Sequence, residues 1–314
     1  MPTPPRDLPA WTLAADALRA SRPAALLCVV RSEGSSPGRQ GFKMAVTADA
    51  VAGSIGGGIM EHKWVELARQ RLHAGDYTPL LRPQIHRREA PADRSGMMCA
   101  GEQEVLLWLL QPADLEVVAA IEANLQTLAG GAWEVSAAGL RLVDAAAFYA
   151  YQPGPAWHYR ERLGFRDHLT IVGGGHVSLA LSQLAASLEF EITVLDDRAD
   201  LPTLVANHYA HHRQQLSDYE TLTVPPGPHR YVVVMTVGYR TDAVALRRLL
   251  GHEYAYLGVM GSATKVAELR RVLAAEAFDT SGLRGPIGVP INSRTPEEIA
   301  VSVAAELITV RNER

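Results

Sequence analysis

A strand that runs through three glycines into a helix constrains this chain more than any other feature. The stretch LTIVGGGHVSLALSQL (residues 169–184) places a short apolar run before the glycines and a helical pattern after them. Glycines allow a tight turn and close approach of the backbone to a ligand, and the unpaired amides at a helix start attract an anion. We therefore predict that Gly173, Gly175 and His176 hold a phosphate group.

The turn departs from the standard dinucleotide fingerprint. That fingerprint has a third glycine three residues after the second, where this chain has Ser178, and the change should separate helix and strand slightly. Asp196 and Asp197 end the next strand, and Asp196 is predicted to bind a ribose hydroxyl. The alternative, a structural turn with solvated carboxylates, stays open.

Strands and helices alternate regularly after residue 167. The strands LTIVG, EITVLDD, YVVVMT and YAYLGVMG are separated by helical or polar stretches, which is typical of a Rossmann-like, doubly wound parallel sheet. Residues 1–150 contain apolar strands and amphipathic helices in a different order. We predict an α/β protein with one domain at 1–150, a proline- and glycine-rich linker at 151–166, and a Rossmann-like domain at 167–314.

Composition limits the class of protein. The chain has 314 residues, is 47% hydrophobic and 20% charged, and has a formal net charge of -4, which favours two ordinary domains over a nucleic-acid-binding surface. Its apolar runs are shorter than a membrane span, and its start lacks a signal pattern. Two cysteines, Cys28 and Cys99, make no disulfide framework, so we predict a cytoplasmic protein.

A second glycine loop, GSIGGG, occupies residues 53–58. Gly56, Gly57 and Gly58 are costly to order, which indicates either a backbone nest for a ligand or a tight structural bend, and both interpretations stay open. Glu61 and His62 follow on the next helix. Because positions so close in sequence point apart on a helix, they are expected to be surface or hinge contacts and not metal ligands.

A third candidate contact lies at the end of a later strand. Gly261 begins the segment GSATK, and Lys265 ends it, where the ammonium group could add a phosphate contact. A plain solvated lysine is the alternative. No metal site and no catalytic residue are predicted.

Five segments, taken together and in order, resemble the XdhC/CoxI family, the accessory proteins of xanthine dehydrogenase and related molybdenum hydroxylases. The resemblance implies a protein that binds molybdenum cofactor, as molybdopterin or its nucleotide form, and delivers its sulfurated form to the client enzyme. It also implies a homodimer, and as partners a xanthine dehydrogenase or related hydroxylase and a cysteine desulfurase. The segments are GSIGGGIMEH, MMCAGEQEVLLWL, LTIVGGGHVSLALSQLAASLEFEITVLDDR, YLGVMGSATKVAELR and PIGVPINSRTPEEIAVSVAAELITVR.

The chain departs from the family pattern at two positions. Many relatives carry a cysteine where this chain has Ile59, and many have a histidine after the strand that here ends in Met235 and Thr236. Cys99 therefore remains as the thiol proposed to contact molybdenum or its sulfur. The alternative, an inert small residue packed under the strand that begins near Glu102, stays open. By analogy, Gly173 and its neighbours would hold the phosphate or nucleotide end, while the loop 56–58 and Cys99 would face the pterin or molybdenum end across a cleft between domains.

The Rossmann half alone also fits an NAD(P)-dependent oxidoreductase. Against that alternative, the Tyr-x-x-x-Lys spacing of short-chain reductases is missing, and no proton relay is evident. A cofactor-binding chaperone without catalytic activity is the favoured interpretation. Nucleotide chemistry on the cofactor is a third alternative.

Overall fold

The computed structural model describes residues 2–85, 101–144 and 147–313, which form two compact units divided between Gly164 and Phe165. The first unit contains two antiparallel sheets. A five-stranded sheet has the order β3-β2-β1-β5-β4, and a four-stranded sheet has the order β7-β6-β9-β8. The strands are β1 (Ala24–Gly34), β2 (Lys43–Val46), β3 (Val51–Gly53), β4 (Leu80–Ile85), β5 (Gly101–Leu110), β6 (Ala132–Ser136), β7 (Gly139–Val143), β8 (Tyr149–Gln152) and β9 (His158–Arg162).

Strand β1 is the centre of the five-stranded sheet and is buried on both faces. Leu26, Cys28 and Val30 enter one core with helices α1 (Leu8–Arg19) and α3 (Leu115–Thr127). The alternate side chains of β1 enter a second core with helix α2 (Gly58–Ala74). Burial on both faces explains why this strand reads as the unbroken apolar run AALLCVV.

The segment 151–166, predicted to be a linker, contains regular strands. Residues 151–152 belong to β8, and β9 pairs with both β6 and β8, so this segment supplies the centre of the four-stranded sheet. Glu161 in β9 accepts a hydrogen bond from the buried Lys43 ammonium at 2.7 Å. The proline and glycine residues that indicated a linker form the hairpin turn between β8 and β9.

The second unit is a five-stranded parallel sheet in the order β12-β11-β10-β13-β14. Its strands are β10 (Asp167–Val172), β11 (Phe190–Asp196), β12 (His212–Gln215), β13 (Gly227–Val234) and β14 (Tyr254–Val259). Its helices are α4 (His176–Ser187), α5 (Pro202–Val205), α6 (Tyr239–Leu249), α7 (Ala263–Ala275) and α8 (Pro296–Asn312).

Helices cover both faces of this sheet. Leu181 of α4 and Leu307 of α8 pack into one core, while Leu246 of α6 and Leu269 of α7 pack into the core on the other face. The predicted α/β class and doubly wound parallel sheet are confirmed. None of the helices in the described part of the chain is both long and apolar enough to span a bilayer.

Candidate functional site

The sheet of the second unit has a topological switch point between β10 and β13. The two strands are neighbours, but the helices that follow them, α4 and α6, pack on opposite faces, which opens a crevice at the carboxyl ends of the strands. Gly173 lies at the base of this crevice with φ of +112°, and a Cβ there would be 2.4 Å from the Met235 carbonyl oxygen. The glycine turn is thus pressed against the end of β13.

Two helices begin at this crevice with glycine as the N-cap residue. Gly175 precedes α4, Gly238 precedes α6, and a Cβ at either position would meet no atom within 4 Å. Glycine has no side chain with which to satisfy the first amides of its helix. The two helix starts therefore combine free space with donor groups, which suits an anionic ligand. His176, the first residue of α4, is partly exposed at the same place.

Asp196 is fully buried and binds its own chain. Its carboxylate accepts hydrogen bonds from the Gly174 amide at 2.7 Å, and from the Arg198 amide at 2.9 Å and side chain at 2.8 and 2.7 Å. Burial alone would raise the pKa of Asp196, but these bonds from Arg198 and Gly174 outweigh burial and lower it. Asp196 thereby fixes the glycine turn, and its contact with a ribose stays a prediction.

Lys265 lies in the first turn of α7, beside the same sheet edge. Its ammonium donates to the Met260 carbonyl oxygen at 3.0 Å and forms an ion pair with the fully buried Asp242. Gly261 leaves room for this side chain, because a Cβ there would lie 2.6 Å from Lys265 Cδ. The ammonium predicted to contact phosphate is thus engaged with the start of α6.

The glycine loop of the first unit is a backbone nest that already holds a carboxylate. Gly56, Gly57 and Gly58 have φ of 126°, 74° and 72°. One oxygen of Glu61, Oε2, accepts hydrogen bonds from Ser54 Oγ at 2.7 Å and from the amides of Ile55 and Gly57, each at 2.9 Å. Glu61 was expected to be a surface or hinge contact, and instead it binds the loop.

The same loop packs tightly against a neighbouring one. A Cβ on Gly56 would lie 2.5 Å from the Gly38 amide, and Gln103 bridges the two loops by accepting from that amide at 2.8 Å and donating to the Ile55 carbonyl at 3.3 Å. Ile59, directly after the loop, leaves 58% of its surface exposed.

The described residues include one of the two cysteines, Cys28. Cys99 lies outside the described residues, so its predicted role remains a prediction. Cys28 is fully buried in β1, where burial raises the pKa of its thiol far above the usual value. Among the residues that the structure describes, no group of three or more His, Cys, Asp or Glu side chains is arranged to hold a metal ion.

Family descriptions match both units of the chain. The XdhC Rossmann domain matches residues 169–307, and the XdhC and CoxI family matches residues 17–82. The chain belongs to the XdhC/CoxI family. The resemblance seen in the sequence is thereby confirmed.

Two curated relatives extend this comparison. The chain is 30% identical over 301 residues to the uncharacterized protein YqeB of Escherichia coli K12, covering 92% of this chain and 44% of that protein. It is 31% identical over 157 residues to a probable xanthine dehydrogenase component of Bacillus subtilis 168, covering 48% of this chain and 45% of that protein. The chain thus spans less than half the length of these relatives.

A crystal structure of a xanthine dehydrogenase from Bacillus halodurans is also similar. It superposes with a TM-score of 0.70 at 21% identity, and the match covers 98% of this chain and 96% of the other. At that identity the similarity establishes a shared fold.

Sequence reasoning missed the contacts of three residues. Arg198 binds Asp196, Asp242 binds Lys265, and Glu61 fills the loop of the first unit. Asp242 and Glu61 share a signal that would have found them, since each is an acidic residue in the first turn of a helix, where amides attract a carboxylate. Arg198 carries no such local signal.

Proposed function

We propose that this protein is an accessory protein that binds molybdenum cofactor and assists its sulfuration and its insertion into xanthine dehydrogenase or a related molybdenum hydroxylase. Membership of the XdhC/CoxI family supports the role, and so does the name of the Bacillus subtilis relative, which is a probable xanthine dehydrogenase component. The match covers less than half the length of each curated relative, so the identity of the client enzyme is also part of the proposal.

The observation that carries the proposal is the crevice between β10 and β13. Gly175 and Gly238 each precede a helix and leave open space at its start. Because glycine has no side chain, neither residue caps the first amides of its helix. A phosphate is a good ligand for such amides, and molybdopterin carries a terminal phosphate. Gly173, Gly175 and His176 would hold this end, and Gly238 would approach it from the other side of the crevice.

The other predicted contacts belong to the same proposal. The loop 56–58 and Cys99 would face the pterin or molybdenum end, and Gly261 and Lys265 would support the crevice through Asp242. When bound, the cofactor supplies the molybdenum centre that the client hydroxylase uses. A cysteine desulfurase as the sulfur source, a homodimer and a cytoplasmic location complete the proposal.

The alternative, an NAD(P)-dependent oxidoreductase, has less support from this site. The carboxylate of Asp196, where such enzymes bind the ribose, has its oxygens bound to Gly174 and Arg198. Ser178 replaces the third glycine and is fully buried. The sequence also lacks the Tyr-x-x-x-Lys pair.

The test compares two glycine substitutions that the backbone tolerates equally. Gly175→Ala places a methyl group before the start of α4, whereas Gly282→Ala places one in open space in the loop after α7. Neither glycine has a positive φ. We expect Gly175→Ala to lower the molybdopterin that co-purifies about tenfold, because two amide bonds to phosphate are worth about 1.5 kcal/mol or more.

The readout is the fluorescent oxidised pterin released from purified protein, with thermal unfolding as the check on folding. The control Gly282→Ala should match the wild type in both. Equal pterin content in Gly175→Ala and wild type would show that the turn is structural. Bound NAD(P) with turnover, and no pterin, would replace the proposal with the oxidoreductase.

A further inference from the structure

The nest in the first unit is filled by an internal anion. Glu61 Oε2 accepts three hydrogen bonds at 2.7 to 2.9 Å, from one hydroxyl and two amides, which saturates that oxygen. The carboxylate lies in the first turn of α2, where the helix dipole favours a negative charge. The glycine loop therefore reaches its conformation without any ligand.

An anionic ligand is poorly suited to this loop. A phosphate would meet the negative charge of Glu61 and would have to displace it from the Ile55 and Gly57 amides. The loop thus differs from the start of α4, where glycine as the N-cap residue supplies no acceptor to the first amides of the helix.

The second oxygen of Glu61 is still available. Among the described residues no hydrogen bond reaches Oε1, and Glu61 is only partly buried. An ionised carboxylate oxygen has two lone-pair sites and accepts only, so a group that binds there must donate hydrogen bonds. At Gly57, whose amide binds the same carboxylate, a Cβ would meet nothing within 4 Å, so the loop surface is open there.

An exposed apolar side chain adjoins the loop. Ile59 follows the three glycines and is 58% exposed, whereas large aliphatic side chains are usually buried. A flat heteroaromatic ring with N–H groups on one edge would use both features, because its edge donates to the carboxylate and its face covers apolar surface. This combination is absent from a sugar or a phosphate.

We propose that the glycine loop of the first unit binds the amino-pyrimidine edge of a pterin, with Glu61 Oε1 accepting from the 2-amino group and the neighbouring ring N–H. This inference rests on the proposed function, since it names the residue that would recognise the ring of the cofactor.

The experiment titrates the full chain with free pterin, followed by the fluorescence of the ring. Lumazine is the matched ligand, because it carries an oxygen where pterin has the 2-amino group. The matched variants are Glu61→Gln and Glu66→Gln, the latter an exposed residue on the same helix that pairs with His62 at 3.2 Å. Thermal unfolding of each variant accompanies the titration.

Wild type and Glu66→Gln should bind pterin alike and bind lumazine about tenfold more weakly, because one charge-assisted hydrogen bond is worth about 1.5 kcal/mol or more. Glu61→Gln should lose about the same factor for pterin and discriminate less between the two rings. Inorganic phosphate should not compete with pterin. The comparison of two ligands on wild type holds even where Glu61→Gln loosens the loop.

Equal binding of pterin and lumazine, undiminished pterin binding by Glu61→Gln, competition by phosphate, or no pterin binding to wild type would each overturn the inference. These failures leave the proposed function intact where purified wild type still retains molybdopterin in a manner that depends on Gly175. A wild type that never retains molybdopterin sinks the proposed function itself.

Discussion

Single charged residues set the shape of the crevice in the second unit. Asp242 is fully buried, and its Oδ1 accepts from Thr236 Oγ1 at 2.6 Å and from the Thr236 amide at 3.1 Å. Lys265 supplies the opposite charge. A carboxylate in such a place needs this partner, because an uncompensated buried charge is strongly destabilising.

Lys265→Met should therefore reduce the free energy of unfolding by about 2 kcal/mol. The loss is smaller than for a fully buried ion pair, because Lys265 is only partly buried and solvent screens part of its attraction to Asp242. The measurement is urea unfolding at neutral pH. Lys63→Met, which removes an exposed lysine from α2, is the control and should change stability by less than about 0.5 kcal/mol. Equal stability of the two variants would mean that Asp242 does not depend on Lys265.

Glu191 gives the second unit a pH dependence. Its carboxylate lies between His168 Nδ1 at 2.7 Å and His212 Nε2 at 2.8 Å. Burial alone would raise the pKa of Glu191, but the hydrogen bonds to His168 and His212 outweigh it and lower the pKa to about 2. A carboxyl with a lowered pKa stabilises the fold at pH values above its ordinary pKa, which is near 4.5. That contribution is lost as the pH falls from 4.5 toward 2.

Glu191→Gln should consequently be less stable than wild type at pH 5.5, by an amount on the order of 2 kcal/mol. The difference should shrink as the pH is lowered from about 4.5 toward 2, because wild type then loses the charge that the variant lacks. Denaturant unfolding across this range measures it. A difference that stays constant with pH would show that the pairing with the histidines contributes nothing.

At the scale of elements, the two glycines Gly173 and Gly175 of the β10–α4 turn differ in how well they should tolerate a side chain. Gly173 has a positive φ and no room for a Cβ beside the Met235 carbonyl oxygen, whereas Gly175 has an ordinary φ of −71° and open space. The two substitutions should therefore have different effects on the same turn.

Gly173→Ala should lower the free energy of unfolding by about 2 kcal/mol or more, because it combines backbone strain with a clash at 2.4 Å. Gly175→Ala should stay within about 1 kcal/mol of wild type. Guanidinium unfolding of the two variants measures both changes. Similar stabilities for both would show that the close approach of Gly173 to Met235 does not constrain the turn.

At the scale of the molecule, each unit has its own cores. The first unit is built around β1 and the second around the parallel sheet, so the division at residues 164 and 165 separates two complete sets of packed elements. A unit that buries its own apolar surface should fold by itself.

We expect the fragment 165–314 to unfold cooperatively and to retain weak binding of cofactor through the crevice. Circular dichroism and titration with molybdopterin measure these two properties. A fragment that unfolds without cooperativity, or that binds no molybdopterin, would contradict this prediction.

The sequence by itself determined the class of the fold and the position of the crevice. Apolar strands followed by helices have local periods that neighbouring residues alone impose, and the turn at Gly173 is a local feature too. The capping box of α8 is another local feature, because its residues Thr295 and Glu298 are three positions apart.

Only the tertiary structure decided which polar groups are free to bind a ligand. Glu161 is 118 residues from Lys43, and Lys265 is 23 positions beyond Asp242, so neither pairing appears in any local pattern. The segment 151–166 looked like a linker because its strands pair with β6 and with each other, and such pairings between strands leave no pattern in the local sequence. A side chain's availability depends on what folding brings beside it, and in the core of the first unit folding brought Glu161 to Lys43.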